Sequence, residues 1–337
     1  MDFWLHIASF ALKAALIVGA VGGLVILIAS VARGQEEDET GLTISNLNHL
    51  YDEMEERFVA KVLDKKALKA RRKAHKKEAK LERKDTRKCL YLIEFKGDTK
   101  ASAAEQLAQQ IDGVLTIAKP ESDEIVVKID SPGGLVTSYG YAASQLLRIR
   151  DAKIPLTVCV DEVAASGGYL MACTANKILC APFAVVGSIG VVAEVPNLYR
   201  LLKKNDIDYE QYTAGEYKRT VSVLGEITEE GREHFKEKLS ATHVAFKHFV
   251  QSYRPQIELE KVANGDHWYG QEALSLGLID ALSTSDDYLF RARHEARIFK
   301  VTMEEKQTLV QQLMRSVGFA AENVLQNLLN LTRRNGV

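Results

Sequence analysis

Beyond residue 89 the chain switches repeatedly between two hydrophobic periods, and this alternation limits its fold more than any other feature. Leu90 to Phe95 is an apolar run of strand length, and Ala101 to Ala118 carries apolar residues at helical spacing. Glu124 to Asp130 reads as a second strand, Val136 to Arg150 as a second helix, and Leu156 to Val160 as a third strand. Strands separated by helices of this length pair in parallel through right-handed crossovers, so the pattern predicts an α/β layer architecture. Chemistry in such folds gathers at the carboxyl ends of strands, where loops meet helix N-termini. Composition agrees: 46% hydrophobic and 26% charged residues suit a packed domain and exclude a mainly disordered chain.

Two glycine loops fall at those strand ends, Asp130-Ser131-Pro132-Gly133-Gly134 and Ala164-Ala165-Ser166-Gly167-Gly168-Tyr169. Gly133 and Gly134 let the backbone turn sharply and present N–H groups without side-chain obstruction, as an oxyanion hole requires. Ser166, ahead of a short helix expected from Tyr169 to Ala175, would hold its hydroxyl in open space, with the Gly167 N–H as a second donor. A serine in a glycine-rich turn is equally the ordinary residue of a turn or helix cap. The nucleophile reading therefore depends on a neighbouring base. The eight histidines stand at 6, 49, 75, 234, 243, 248, 267 and 294; those at 234, 243 and 248 lie in a helical stretch, and His267 stays open as a base. Lysine serves if burial keeps it neutral, and Lys218 ends the polar segment Thr213-Ala214-Gly215-Glu216-Tyr217-Lys218 after a short predicted strand. Spacing alone leaves a surface lysine as the alternative.

The flanks have other characters. Ala14 to Ala32 is uncharged and long enough to cross a hydrocarbon layer, which predicts an uncleaved membrane anchor rather than a signal peptide. Lys13 and Arg33 flank it almost evenly, so charge does not orient it. Lys61 to Lys88 holds fourteen basic residues against four acidic and favours a helix, either a solvated linker or a surface for anionic lipid headgroups. The formal net charge of -1 and the absence of an aromatic platform argue against nucleic acid as a partner. Cys89, Cys159, Cys173 and Cys180 form no CxxC pair and read as buried core thiols, so no metal or other cofactor is expected. The tail from Thr302 to Asn330 carries apolar residues at helical spacing, suited to core packing or a subunit contact, with a membrane-surface helix as the alternative that its few basic residues disfavour.

DSPGG, AASGGY, Ala184-Val185-Val186-Gly187-Ser188-Ile189-Gly190, Gly215-Glu216-Tyr217-Lys218 and the segment from Gly270-Gln271-Glu272-Ala273 to Gly277-Leu278-Ile279-Asp280 together resemble the S49 peptidases. That family includes signal peptide peptidase A and the inner-membrane SohB proteases; the long N-terminal extension is most similar to the SohB type. The resemblance covers roughly residues 89 to 285, and the combination is more specific than any single motif. It implies an α/β fold of repeated β-β-α layers like that of the Clp protease and crotonase families, with an N-terminal transmembrane helix and helical extensions. It further implies a Ser/Lys dyad with Ser166 as nucleophile, Lys218 as general base, Ser188 orienting the lysine amine, and Gly134 with Gly167 as oxyanion donors, Gly133 being the alternative. A half-size protomer of this family is expected to assemble into a ring or dome on a bacterial inner membrane, single-pass, with a periplasmic catalytic body. The basic run leans toward the opposite side.

The resulting organisation is an anchor over 1–35, a charged, largely helical linker over 36–88, a protease domain over 89–296 and an amphipathic helix over 297–337. Expected substrates are hydrophobic or unfolded peptides, including signal-peptide remnants and misfolded envelope proteins, with Val163, Leu170, Val185 and Val191 near the site. Two other functions fit the residues. A crotonase-like acyl-thioester enzyme would use the glycine loops without Ser166, and a non-catalytic membrane scaffold would use neither Ser166 nor Lys218.

Overall fold

In the computed structural model, residues 41–63, 67, 87–120 and 122–303 are described. The elements run β1 (Leu42–Asn46), α1 (Leu47–Val62), β2 (Lys88–Lys96), α2 (Ala104–Leu115), β3 (Glu124–Asp130), α3 (Val136–Asp151), β4 (Leu156–Val160), β5 (Val163–Ala165) and α4 (Gly167–Ala172). They continue with β6 (Lys177–Cys180), β7 (Val185–Gly187), α5 (Tyr199–Lys204), α6 (Glu229–Tyr253), α7 (Leu259–Val262), β8 (His267–Tyr269), α8 (Gly270–Ser275), β9 (Ala281–Leu282), α9 (Ser285–Ala292) and β10 (Ala296–Met303). One compact unit spans Ile44–Thr302; the other, Met1–Thr43 with Met303–Val337, lies almost wholly outside the described residues.

The apolar runs become the middle of a seven-stranded sheet in the order β1-β10-β2-β3-β4-β6-β9. From β10 to β9 every neighbour pairs in parallel. Parallel sheets are covered on both faces, which is why β3 and β4 are apolar at successive positions rather than alternating. On one face Leu90, Leu92, Val126, Cys159 and Leu179 pack against Leu289 of α9, with Leu47 of α1 at the margin. On the other, α2 buries Leu107, Ile111 and Val114, and α3 buries Ala142, Ala143, Leu146 and Ile149. A second, smaller sheet has the order β5-β7-β8, with β5 and β7 parallel and β8 antiparallel.

All four cysteines are buried and free, as their apolar settings predict. Burial pushes the Cys159 and Cys180 thiols up to about 12.

Three boundaries differ from the sequence reading. Strand β10 extends through residue 303 and pairs in parallel with β2 from Ala296↔Lys88 to Val301↔Ile93, so the sheet continues past the expected domain end at 296. On the N-terminal side, the span read as linker holds β1 and α1, and Asn48 ties α1 down. Its amide donates to the carbonyls of Arg293 and Ala296 at 2.9 and 3.0 Å, and its oxygen accepts from the Ile298 N–H. The short strand expected before Thr213 does not form: Ile207, Tyr209 and Tyr212 are exposed, and among the described residues no strand runs alongside to pair them. The apolar run 14–32, most of the basic run and the tail beyond Met303 lie outside the described residues. Among the described residues no helix is long and apolar enough to cross a membrane.

Candidate active site

Parallel pairing of β5 with β7 sets Val163 beside Val185, Ala164 beside Val186 and Ala165 beside Gly187. The chain then turns at both strand ends through a serine with positive φ. Ser166 has φ 51° and ψ −115°, and Ser188 has φ 51°. Non-glycine residues avoid that region, at a cost of about 1–3 kcal/mol, unless the surrounding structure enforces it. Here it does: the Ser166 N–H donates to the Gly187 carbonyl at 2.8 Å, and the Ser188 N–H donates to the Asp266 carbonyl at 2.7 Å. Ser166 is thereby held half-buried at the start of α4.

The SPGG loop lies directly against this turn. Gly133, at φ +91°, leaves no room for a side chain: a Cβ would lie 2.7 Å from the Gly167 nitrogen and 2.8 Å from Ser166 Cβ. Its N–H donates to Ser131 Oγ at 3.1 Å and is occupied. The N–H groups of Gly134 and Gly167 make no hydrogen bond among the described residues. A Cβ at Gly134 would lie 2.6 Å from Thr99 Cα, and one at Gly167 would lie 2.8 Å from Cβ and Cδ1 of Tyr139. Both glycines are required by close approach rather than by turn geometry.

A cavity of about 190 Å³ opens beside Ser166. Leu170 of α4, Val136 of α3 and Val191 line it, and Ala245, Phe246 and Phe249 of α6 complete it. The first turn of α6 is capped by Thr228, whose hydroxyl accepts from the Gly231 N–H at 3.1 Å, with Glu229 and Glu230 favourably placed at the helix start. Leu170 and Val191 were expected at the site. Val163 and Val185, expected with them, instead pair with one another in the small sheet and do not line the cavity. Phe246 and Phe249 went unrecognised because a helical apolar stripe reads the same whether it faces a core or a cavity.

Lys218 stands exposed on the turn after Gly215, whose carbonyl accepts its backbone N–H at 3.2 Å. Its ammonium makes no hydrogen bond or ion pair among the described residues, so this single chain does not join it to Ser166 or Ser188. The Ser188 hydroxyl donates instead to the Gly265 carbonyl at 3.5 Å. No described histidine bonds to Ser166 either. His243 contacts the Ile189 carbonyl at 3.1 Å, His234 stacks on Tyr217, and His267 is an exposed member of β8.

Known proteins share this sequence frame. The chain matches the model described as Peptidase family S49 over residues 148–298 and Peptidase family S49 N-terminal over residues 2–146. It is similar to the probable protease SohB of Haemophilus influenzae, 49% identical over 237 residues, which is 70% of this chain and 67% of that one. The probable protease SohB of Buchnera aphidicola subsp. Schlechtendalia chinensis is 41% identical over 86% of this chain and 99% of its own. The chloroplastic serine protease SPPA of Arabidopsis thaliana is 31% identical over 63% of this chain and 31% of its own. A solved membrane-bound stomatin-specific protease overlaps 61% of this chain and 84% of its own at 16% identity and a TM-score of 0.41. Identity at the level of the bacterial relatives, over most of both chains, makes this chain a member of peptidase family S49 and a serine-type peptidase.

Proposed function

We propose that this peptidase is a membrane-anchored endopeptidase whose nucleophile is Ser166 and whose general base is Lys218. The observation that carries the reading is the placement of Ser166: its backbone is held at a positive φ, the N–H groups of Gly134 and Gly167 have no partner among the described residues, and an apolar cavity lies beside it. A substrate residue seated in the cavity brings its carbonyl carbon to Ser166 Oγ. Neutral Lys218 takes the hydroxyl proton as the O–C bond forms, and the N–H groups of Gly134 and Gly167 receive the developing oxyanion. The C–N bond then breaks, the lysine returns the proton to the leaving amine, and water hydrolyses the ester at Ser166.

Gly133 is not assigned as a donor, because its N–H is already given to Ser131. Lys218 requires burial to be neutral at working pH, and its exposed turn lacks that burial in the single chain. A ring or dome of copies supplies it, by closing neighbouring surfaces over residues 213–218 so that Ser188 can orient the amine. The Phe- and Leu-lined cavity favours apolar side chains, which fits hydrophobic or unfolded peptides such as signal-peptide remnants and misfolded envelope proteins. The anchor places the body at a bacterial inner membrane, on its periplasmic face; a C-terminal reporter fusion exposed to the cytoplasm would reverse that orientation.

The decisive measurement is labelling of the detergent-solubilised oligomer with a fluorophosphonate probe, followed by peptide mapping. Labelling at Ser166 that disappears in Ser166→Ala and Lys218→Ala is the expected result. Absence of labelling in folded wild-type protein would instead favour a scaffold that binds unfolded segments, and hydrolysis of an acyl thioester retained in Ser166→Ala would favour crotonase-like chemistry.

A further inference from the structure

Tyr139 is fully buried on α3, five residues after the SPGG loop and well before the Ser166 turn in sequence, and it touches both glycine loops. Its hydroxyl donates to the Asp98 carbonyl at 2.7 Å. Having given its one proton there, it accepts from Ser131 Oγ at 2.5 Å, while Ser131 Oγ accepts from the Gly133 N–H at 3.1 Å. The chain of bonds from Gly133 through Ser131 and Tyr139 to Asp98 therefore has a single consistent direction. The other end of the same side chain is a wall for the nucleophile turn: a Cβ added at Gly167 would lie 2.8 Å from Tyr139 Cβ and Cδ1. The ring is fixed from behind by Phe95, edge to face at 6.4 Å. Burial raises the hydroxyl's pKa, and the hydrogen bond with Ser131 partly opposes that shift, so the hydroxyl stays protonated as a donor.

We infer that Tyr139 is a positioning residue that sets the spacing between the SPGG loop and the Ser166 turn, and so holds the Gly134 and Gly167 N–H groups convergent on one oxyanion. The inference rests on the assignment of those groups under the proposed function. The loops are joined at Ser131, whose N–H donates to the Val163 carbonyl at 2.8 Å and whose carbonyl accepts from the Ala165 N–H at 3.0 Å; beyond that bridge Gly134 and Gly167 make no bond to one another, so the aim of their N–H groups also depends on what both are packed against. Tyr139 contacts each with a different part of one rigid side chain. Its ring packs against Gly167 in the first turn of α4, and its hydroxyl links Ser131 of the SPGG loop to the Asp98 carbonyl. A shift of well under 1 Å between the loops is enough to misalign an oxyanion donor.

The test is Tyr139→Phe, which keeps the ring and removes the hydroxyl. Peptide hydrolysis should show kcat lower by about tenfold to a hundredfold, part of the loss that follows removal of an oxyanion donor outright, with KM within about twofold. A peptide aldehyde, which mimics the tetrahedral state, should lose affinity by the same factor as kcat/KM, whereas an uncleaved peptide amide should not. Amide hydrogen exchange should accelerate in both the 131–135 and 166–168 segments. Wild-type kcat and wild-type exchange in Tyr139→Phe overturn the inference, as does an equal loss of affinity for aldehyde and amide. If Tyr139→Phe does not fold, Ser131→Ala breaks the same chain of bonds one link earlier and must give the same pattern. Ser166→Ala separates the two ideas: if wild-type protein shows no Ser166-dependent hydrolysis, the assigned chemistry fails, and the clamp stands or falls on the exchange of the two segments.

Discussion

Replacing Gly133 by alanine asks how much of the site depends on a single missing methyl group. The residue lies at φ +91°, where an L side chain is strained, and its Cβ would stand 2.7 Å from the Gly167 nitrogen and 2.8 Å from the Ala165 oxygen and Ser166 Cβ. Two of these atoms are backbone and the third is the Cβ of Ser166, so relief requires the turn itself to move. Left-handed backbone costs roughly 1–2 kcal/mol and overpacking in a rigid site a further 1–3 kcal/mol, giving about 2–5 kcal/mol of destabilisation. For a domain of this size, at about 2–4 °C per kcal/mol, that lowers Tm by roughly 4–20 °C. Because the displaced atoms belong to Ser166 and Gly167, kcat/KM should fall by more than about a hundredfold even below the melting range. Gly140→Ala is the control, since its Cβ meets nothing within 4 Å and it lies inside α3. There the same change should stabilise by about 0.5–1 kcal/mol. Thermal melts and hydrolysis assays on the two variants decide the matter: equal Tm changes, or a fully active Gly133→Ala, would refute the argument that close approach at Gly133 builds the site.

If Lys218 is the base, Lys218→Arg should be inactive in peptide hydrolysis with an unchanged thermal melt, because guanidinium stays charged and cannot take the Ser166 proton. Arg254 is buried and bonds both oxygens of Asp280 at 2.9 Å, so Arg254→Leu should cost roughly 3 kcal/mol in a denaturant titration, with part regained on adding Asp280→Asn. Burial tends to raise the Asp161 carboxyl, but hydrogen bonds from Lys128 and Ser285 outweigh it and hold the group below its ordinary value. The unfolded chain then binds the proton more readily, so this contribution is complete above about pH 4 and is lost as pH falls through the lowered folded value; Asp161→Asn should flatten the acid limb of a Tm-against-pH curve.

What the sequence by itself determined was local. Strands Glu124–Asp130 and Leu156–Val160 appear at the predicted residues because continuous apolar runs of that length have few other ways to be buried. The glycine loops were legible for the same reason: Gly133 and the Ser166-Gly167-Gly168 turn advertise backbone that other residues would obstruct. Strand β10 was harder to read, since only Ala296, Ile298 and Val301 are buried and Arg297 and Lys300 interrupt the run. Only the tertiary structure decided which distant residues meet. Tyr139 follows the SPGG loop closely, but its contact with Gly167 depends on packing, and Phe246 follows Ser166 by a long stretch of chain, yet the fold brings both to one cavity. The pairing of β5 with β7 sets the turns at Ser166 and Ser188 at adjacent strand ends, while the turn bearing Lys218 stays exposed. Spacing along a chain records what each segment can bury, whereas a catalytic constellation depends on which segments are buried against each other.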